Sequence, residues 1–133
     1  ILFNYRSCNL SKDLIFLSAT FQGKKDNKDN IKETIKKLKI KKEKAQPTRI
    51  KTGGSTFKNP IKQTNKKVWE IIKQSVPNDI SFGDAAISNK HTNFFINKGN
   101  ASYKDMKKLI DYVKESVKNK TGVNLDLEII LVE

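Results

Sequence analysis

Apolar and polar positions alternate in short blocks along this chain, and most blocks predict a single element. In residues 13–22, Ile15, Leu17, Ala19 and Phe21 fall on one face at period two, which predicts a strand. Leu14 and Phe16 on its other face predict cover on both sides. Ile31, Ile35 and Leu38 recur at i, i+4 and i+7 and predict an amphipathic helix, with Asn30 and Glu33 as its capping box. Pro47 ends that helix region, and Gly53-Gly54 mark a loop running to Pro60. Val68, Ile71 and Ile72 form the buried stripe of a short helix over Lys66–Gln74, stopped by Pro77. Residues 83–92 read as a loop, and Asn93–Asn97, with Phe94, Phe95 and Ile96, as a short strand. Ser102, with Asp105 three residues on, caps the clearest helix, whose apolar face is Tyr103, Met106, Ile110, Val113 and Val117; Gly122 is its stop. Leu125, Leu127, Ile129 and Leu131 alternate along a terminal strand that sets Glu128 on the face opposite the leucines. The order strand, helix, loop, helix, strand, helix, strand is an α+β layout without internal repeats.

Length and composition narrow the class. The chain's 133 residues suffice for one compact domain. Hydrophobic residues make up 36% and charged residues 31%, and no apolar run approaches the ~18 residues of a membrane span, so no membrane role is expected. The single Cys8 excludes an internal disulfide and a cysteine-based zinc site, and points to a reducing compartment such as the cytosol. The first residue is Ile1 rather than Met, so a piece of a longer chain is expected, and no secretory leader is seen.

A net charge of +13 raises nucleic-acid binding. Of the 27 basic residues only Arg6 and Arg49 are Arg, so the planar fork that reads phosphate and guanine bidentately is almost missing. Asn occurs thirteen times, and Lys, Asn and Ile share AT-rich codons, so genome bias accounts for much of the excess. Lys24–Lys51 holds eleven Lys and Arg49 against four acids, a net +8, which reads as a solvated helix face. A basic nucleic-acid-binding module and a catalytically decayed remnant remain the competing readings.

Candidate chemistry is sparse. In Lys51-Thr-Gly-Gly-Ser-Thr-Phe-Lys-Asn-Pro60 the two glycines either make a tight turn or let the backbone approach a ligand and expose Ser55. The stretch is neither a Walker loop nor a nucleophile elbow. His91 is the only histidine, so a Ser–His–acid triad would have to use it and a zinc site would lack ligands; a loop or hydrogen-bonding role fits it better. Arg6, rare among so many lysines, marks a place where Lys would not serve. Glu128 on an apolar strand is either an edge residue or a functional acid.

Together these stretches resemble a family. Gly54-Ser-Thr-Phe-Lys-Asn-Pro60, with Gln46-Pro47 before it, resembles the signature of the UDP-N-acetylenolpyruvoylglucosamine reductases, also called UDP-N-acetylmuramate dehydrogenases. Gly83-Asp-Ala-Ala-Ile-Ser-Asn-Lys-His-Thr-Asn-Phe94, followed by Ile96-Asn-Lys-Gly-Asn-Ala101, is similar to its second block. Gly122-Val-Asn-Leu-Asp-Leu-Glu128 is similar to its closing strand. Tyr5-Arg6-Ser7-Cys8 matches its Tyr-Arg-x-Ser element, with Cys8 in place of Ser, and the segment between Pro60 and Gly83 is shorter than in the family.

The resemblance implies a cytoplasmic bacterial enzyme of peptidoglycan precursor synthesis. NADPH reduces FAD, and hydride passes to the enolpyruvyl group of a UDP-sugar. It assigns Arg6 to the enolpyruvyl carboxylate, Ser55 to proton donation and Glu128 to assisting Arg6. Asn59 and Tyr5 become substrate contacts, Lys58 a cation beside Ser55, and lysines of 41–51 partners of the diphosphate. It also divides the chain: 1–24 as the end of a flavin-binding domain, 25–121 as a small two-layer substrate-binding domain and 122–133 as a returning strand, with the FAD site mostly outside and the isolated chain inactive.

Overall fold

The computed structural model describes residues 1–11 and 13–132; Lys12, within the 1–24 segment, and Glu133, at the end of the 122–133 segment, lie outside the described residues. The chain opens with a hairpin, β1 (Phe3–Asn4) and β2 (Ser7–Cys8), whose two-residue tip is Tyr5-Arg6. Arg6 sits there at φ 57°, a left-handed conformation uncommon for a residue with a Cβ. An 18-residue helix, α1 (Lys28–Ala45), follows. Then come β3 (Lys51–Ser55), α2 (Val68–Ser75), β4 (Ser81–Phe82), β5 (Ala85–Ile87), β6 (Phe94–Asn97) and the long α3 (Tyr103–Thr121). The last four strands form one antiparallel sheet in the order β3-β6-β5-β4. With α2 and α3 against one side of it, the architecture is the expected two-layer α+β.

The best-specified element is α3. Ser102 accepts from the Asp105 amide and donates its own amide to the Asp105 carboxylate, 2.9 Å, so both bonds of the capping box form. Gly122 ends the helix at φ 73° and donates to the Lys118 carbonyl, 2.8 Å. The buried stripe is Leu109, Ile110, Val113 and Val117, whereas Tyr103 at the first turn is exposed. In α2, Val68, Ile71 and Ile72 are buried as predicted and interlock with α3 beneath the Phe57–Phe95 edge-to-face pair, 5.7 Å between rings.

Five expectations are corrected. No strand forms over 13–22: Ile15 is 85% and Leu17 93% exposed. An extended segment needs a ladder neighbour, and the described residues supply none there. The α1 cap is Asn27, whose side chain accepts from Asp29 at 2.8 Å, so the helix starts before the expected Asn30–Glu33 box, and its Ile31, Ile35 and Leu38 stripe stays open to solvent.

Gly53-Gly54 lie inside β3 rather than in a loop. Thr52 pairs with Ile96 and Ser55 with Phe94, so one extra residue bulges out, with Gly54 at φ 89°. The 83–92 loop likewise contains β5, whose Ala85-Ala86 is apolar but too short to show a period. The terminal strand reduces to one bridge, Phe57 to Leu127, although the alternation holds: Leu125 is buried and Leu127, Ile129 and Leu131 pack on the core.

At Gly122 an added Cβ would meet nothing within 4 Å, so the cost of a side chain there is conformational alone. Gly122→Ala should destabilise by about 1–2 kcal/mol. Urea unfolding checks this; an unchanged midpoint would mean that the left-handed cap is unimportant.

Candidate functional site

Ser55 is the last residue of β3, immediately after the glycine bulge, where the strand hands over to a buried strap, Thr56-Phe57. The Thr56 backbone bonds on both sides. Its N–H donates to the Asn93 carbonyl, 2.8 Å, and its carbonyl accepts from the Glu128 N–H, 2.9 Å. Lys58 N–H continues the pattern onto the Asp126 carbonyl, 2.9 Å. The closing segment is thereby laid beside the Ser55 strap, and Glu128, opposite the Leu125–Leu131 stripe, faces the same space as Ser55.

The hairpin tip completes the site. Arg6 Nη2 lies 2.6 Å from Glu128 Oε1, with the carboxylate side chain 24% exposed and the guanidinium half exposed. The hydrogen bond that Arg6 donates to Glu128, and then the carboxylate's charge, raise the Arg6 pKa above its ordinary value, so the cation is permanent. Tyr5 lies under the guanidinium, 5.2 Å from ring centroid to Cζ. The Tyr5 hydroxyl accepts from both the backbone and the side-chain N–H groups of Asn59, each at 3.1 Å, and Asn59 Oδ1 accepts from Val68 N–H at the start of α2, 3.0 Å. One asparagine therefore ties the hairpin to the helical layer.

Arg6, Ser55, Glu128, Tyr5 and Asn59 line one cleft of about 230 Å³. Lys58 is not among its walls, because its neighbours in the strap turn toward the core and the cleft; Lys67, at the cap of α2, is the lysine that lines it. Trp69, His91 and Asn93 also line it; of these only His91 was weighed from sequence, and for a loop or hydrogen-bonding role rather than as a site residue. Their common signal is position: Lys67 and Trp69 flank the start of a helix, and His91 and Asn93 immediately precede β6. His91 packs edge-on to Phe94 at 4.9 Å and tilted to Trp69 at 6.3 Å. Its Nδ1 accepts from the Asn93 N–H, 3.3 Å, so a backbone amide and not a carboxylate holds that nitrogen, and no Ser–His–acid triad is assembled among the described residues. Burial pushes its pKa below the ordinary 6.5.

A larger groove, about 1030 Å³, shares Trp69 and His91 with the cleft. Lys73, Lys90 and Lys98 stand along it, with Lys90 Nζ donating to the Glu43 carbonyl at 3.0 Å. From the 41–51 segment the groove takes Ala45, Pro47, Thr48 and Ile50, and none of the lysines expected there. Among the described residues no group of three His, Cys, Asp or Glu could hold a metal, and no helix is long and apolar enough to cross a membrane.

An Arg–carboxylate pair, a hydroxyl at a strand end and an imidazole thus meet in one small cleft of an α+β fold. Residues 46–132 match the family model described as UDP-N-acetylenolpyruvoylglucosamine reductase, C-terminal domain. Over all 133 residues the chain is 62% identical to the UDP-N-acetylenolpyruvoylglucosamine reductase of Pelagibacter ubique (strain HTCC1062), covering 44% of that protein. Over 127 residues, 96% of this chain, it is 41% identical to the enzyme of the same name from Rickettsia typhi (strain ATCC VR-144 / Wilmington), covering 42% of it. The crystal structure of the Thermus caldophilus UDP-N-acetylenolpyruvylglucosamine reductase superimposes with a TM-score of 0.60 at 30% identity, over 79% of this chain and 35% of that one. The chain belongs to the UDP-N-acetylenolpyruvoylglucosamine reductase family and spans less than half the length of the curated relatives it matches.

Because the fold depresses the His91 pKa, the unfolded chain binds a proton more readily in acid. That contribution to stability is complete above about 6.5 and is lost as pH falls below it. NMR titration of this single histidine should give a midpoint below 6.5, and His91→Gln should flatten part of the acid loss in stability; a midpoint at or above 6.5 would contradict the buried placement.

Proposed function

We propose that this chain is the substrate-binding and proton-donating part of a bacterial cytoplasmic reductase that converts UDP-N-acetylglucosamine enolpyruvate to UDP-N-acetylmuramate with NADPH and FAD. The observation that carries the reading is the meeting of Arg6, Glu128 and Ser55 in one cleft, contributed by three segments far apart in sequence. On this reading 1–24 close a flavin-binding part, 25–121 bind substrate and 122–133 return to deliver Glu128. The uncovered apolar residues of 13–22 favour that division, since Leu17 and Phe21 find no burial within the described chain.

The cleft fits the reacting end of such a substrate and does not fit a flavin. About 230 Å³ is below the ~300–1,000 Å³ of drug-sized sites, enough for an enolpyruvyl ether but not for a dinucleotide. The hydride at C3 comes from reduced FAD, held mainly by residues outside this chain. The residues here act on what that hydride leaves behind. Negative charge grows at C2 and spreads into the carboxylate. Arg6, oriented by Glu128, stabilises it more strongly than the ground state, and that difference lowers the barrier. Ser55 Oγ gives its proton to C2 and completes the reduction.

A serine hydroxyl is a weak acid, and Lys67, which lines the same cleft, supplies the cation that makes its alkoxide less costly. Tyr5 and Asn59 line the same cleft. The adjoining groove, with Lys73, Lys90 and Lys98, takes the nucleotide half, the lysines serving the diphosphate as point charges. The basic face of α1 contributes no wall to the cleft, which leaves its lysines as a solvated surface and gives no support to a nucleic-acid role.

Stopped-flow measurements on the complete protein separate the two half-reactions. Ser55→Ala should leave flavin reduction by NADPH within about twofold while cutting product formation roughly 10²–10⁴-fold, the range for a lost proton donor. Product formation near the wild-type rate would remove Ser55 from that role.

A further inference from the structure

Asn93 is a polar residue with 3% exposure between a histidine and a strand, and the mechanism above does not use it. Its side chain does what a neighbouring strand would do. Nδ2 donates to the Phe57 carbonyl and Oδ1 accepts from the Phe57 N–H, both at 2.9 Å. Its main-chain carbonyl holds the Thr56 N–H at 2.8 Å, and its own N–H is fixed on His91 Nδ1 at 3.3 Å. Four bonds thus converge on one residue, three of them gripping the two residues after Ser55. The need for them lies one turn back. The glycine bulge breaks the β3–β6 register between Thr52 and Ser55, so ordinary ladder pairing stops at Ser55 and Phe94. The amide of Asn93 continues it across the gap to Phe57, which is 1% exposed and has no water to turn to.

Resting on the reading above, we propose that Asn93 is a positioning residue of the reaction. Its amide sets where Ser55 Oγ stands and, through the Thr56 carbonyl that holds Glu128 N–H at 2.9 Å, where the Arg6–Glu128 pair stands relative to it. Only a primary amide serves. A carboxylate of the same shape still accepts from Phe57 N–H but sets a second oxygen against the Phe57 carbonyl, and an alkyl group satisfies neither. A shift of about 1 Å in a reacting group costs on the order of 10²-fold in rate.

The experiment uses the complete flavin-loaded protein and Asn93→Asp, with rates expressed per bound flavin. The expected result is a fall in kcat of about 30- to 100-fold, with KM for the UDP-sugar and the rate of flavin reduction by NADPH both within about threefold. A role confined to stability predicts the opposite split: a lowered melting temperature with kcat per bound flavin unchanged, and that result would overturn the proposal. Asn93→Ser leaves room for a water against the Phe57 peptide, and it carries the same test if the Asp variant does not accumulate. A wild-type protein that fails to reduce the enolpyruvyl substrate would sink the functional reading itself; an active wild type with undiminished Asn93 variants sinks only the positioning role.

Discussion

Three segments of the site are held together by the backbone of one residue, Thr56. The Thr56 N–H and C=O point to opposite sides, one to Asn93 at the start of β6 and the other to Glu128 in the closing segment. Thr56 is 2% exposed, so neither bond can be exchanged for water without leaving a buried polar group unpaired. That requirement brings residues 55, 93 and 128 side by side although they are remote in sequence. The core beneath, with Phe57 on Phe95 and α2 against α3, makes the strap immovable.

The hairpin is attached differently. Its strands are two residues long and fully exposed, and it touches the layered body through its tip: Arg6 on Glu128 and Tyr5 on Asn59. A half-exposed ion pair of this kind contributes little to stability. Its significance is chemical, since it holds a permanent cation, oriented by a carboxylate, at the mouth of a cleft that also contains Ser55. The left-handed φ of Arg6 belongs to the same picture: strain at a tight turn places the side chain that meets Glu128.

Much of this was legible in the residues, and the misses have physical causes. The cap, apolar stripe and glycine stop of α3 are local signals that tertiary contacts reinforce, so Tyr103–Thr121 could be read directly. The alternation in 125–131 correctly set Glu128 opposite the leucines, even though pairing is limited to one bridge. By contrast, β3 was hidden because its glycines look like a loop until the bulge explains them, and β5 because two alanines show no period. Residues 13–22 were read as a strand from their period-two alternation, yet a strand exists only where something pairs with it. At the site, resemblance pointed to Arg6, Ser55, Glu128, Tyr5 and Asn59, which do meet in one cleft. Lys58 directly follows a strap whose direction the sequence does not reveal, and Lys67, Trp69, His91 and Asn93 reach the cleft only through the packing of α2 and β6.

The central claim is that Ser55 and the Arg6–Glu128 pair face the same reacting atoms. A crystal structure of the complete protein with UDP-N-acetylglucosamine enolpyruvate bound tests it most directly. The account predicts the enolpyruvyl carboxylate in hydrogen-bond contact with Arg6, and Ser55 Oγ within about 3.5 Å of C2. An enolpyruvyl group seated away from this cleft, with Ser55 out of reach of C2, would contradict it.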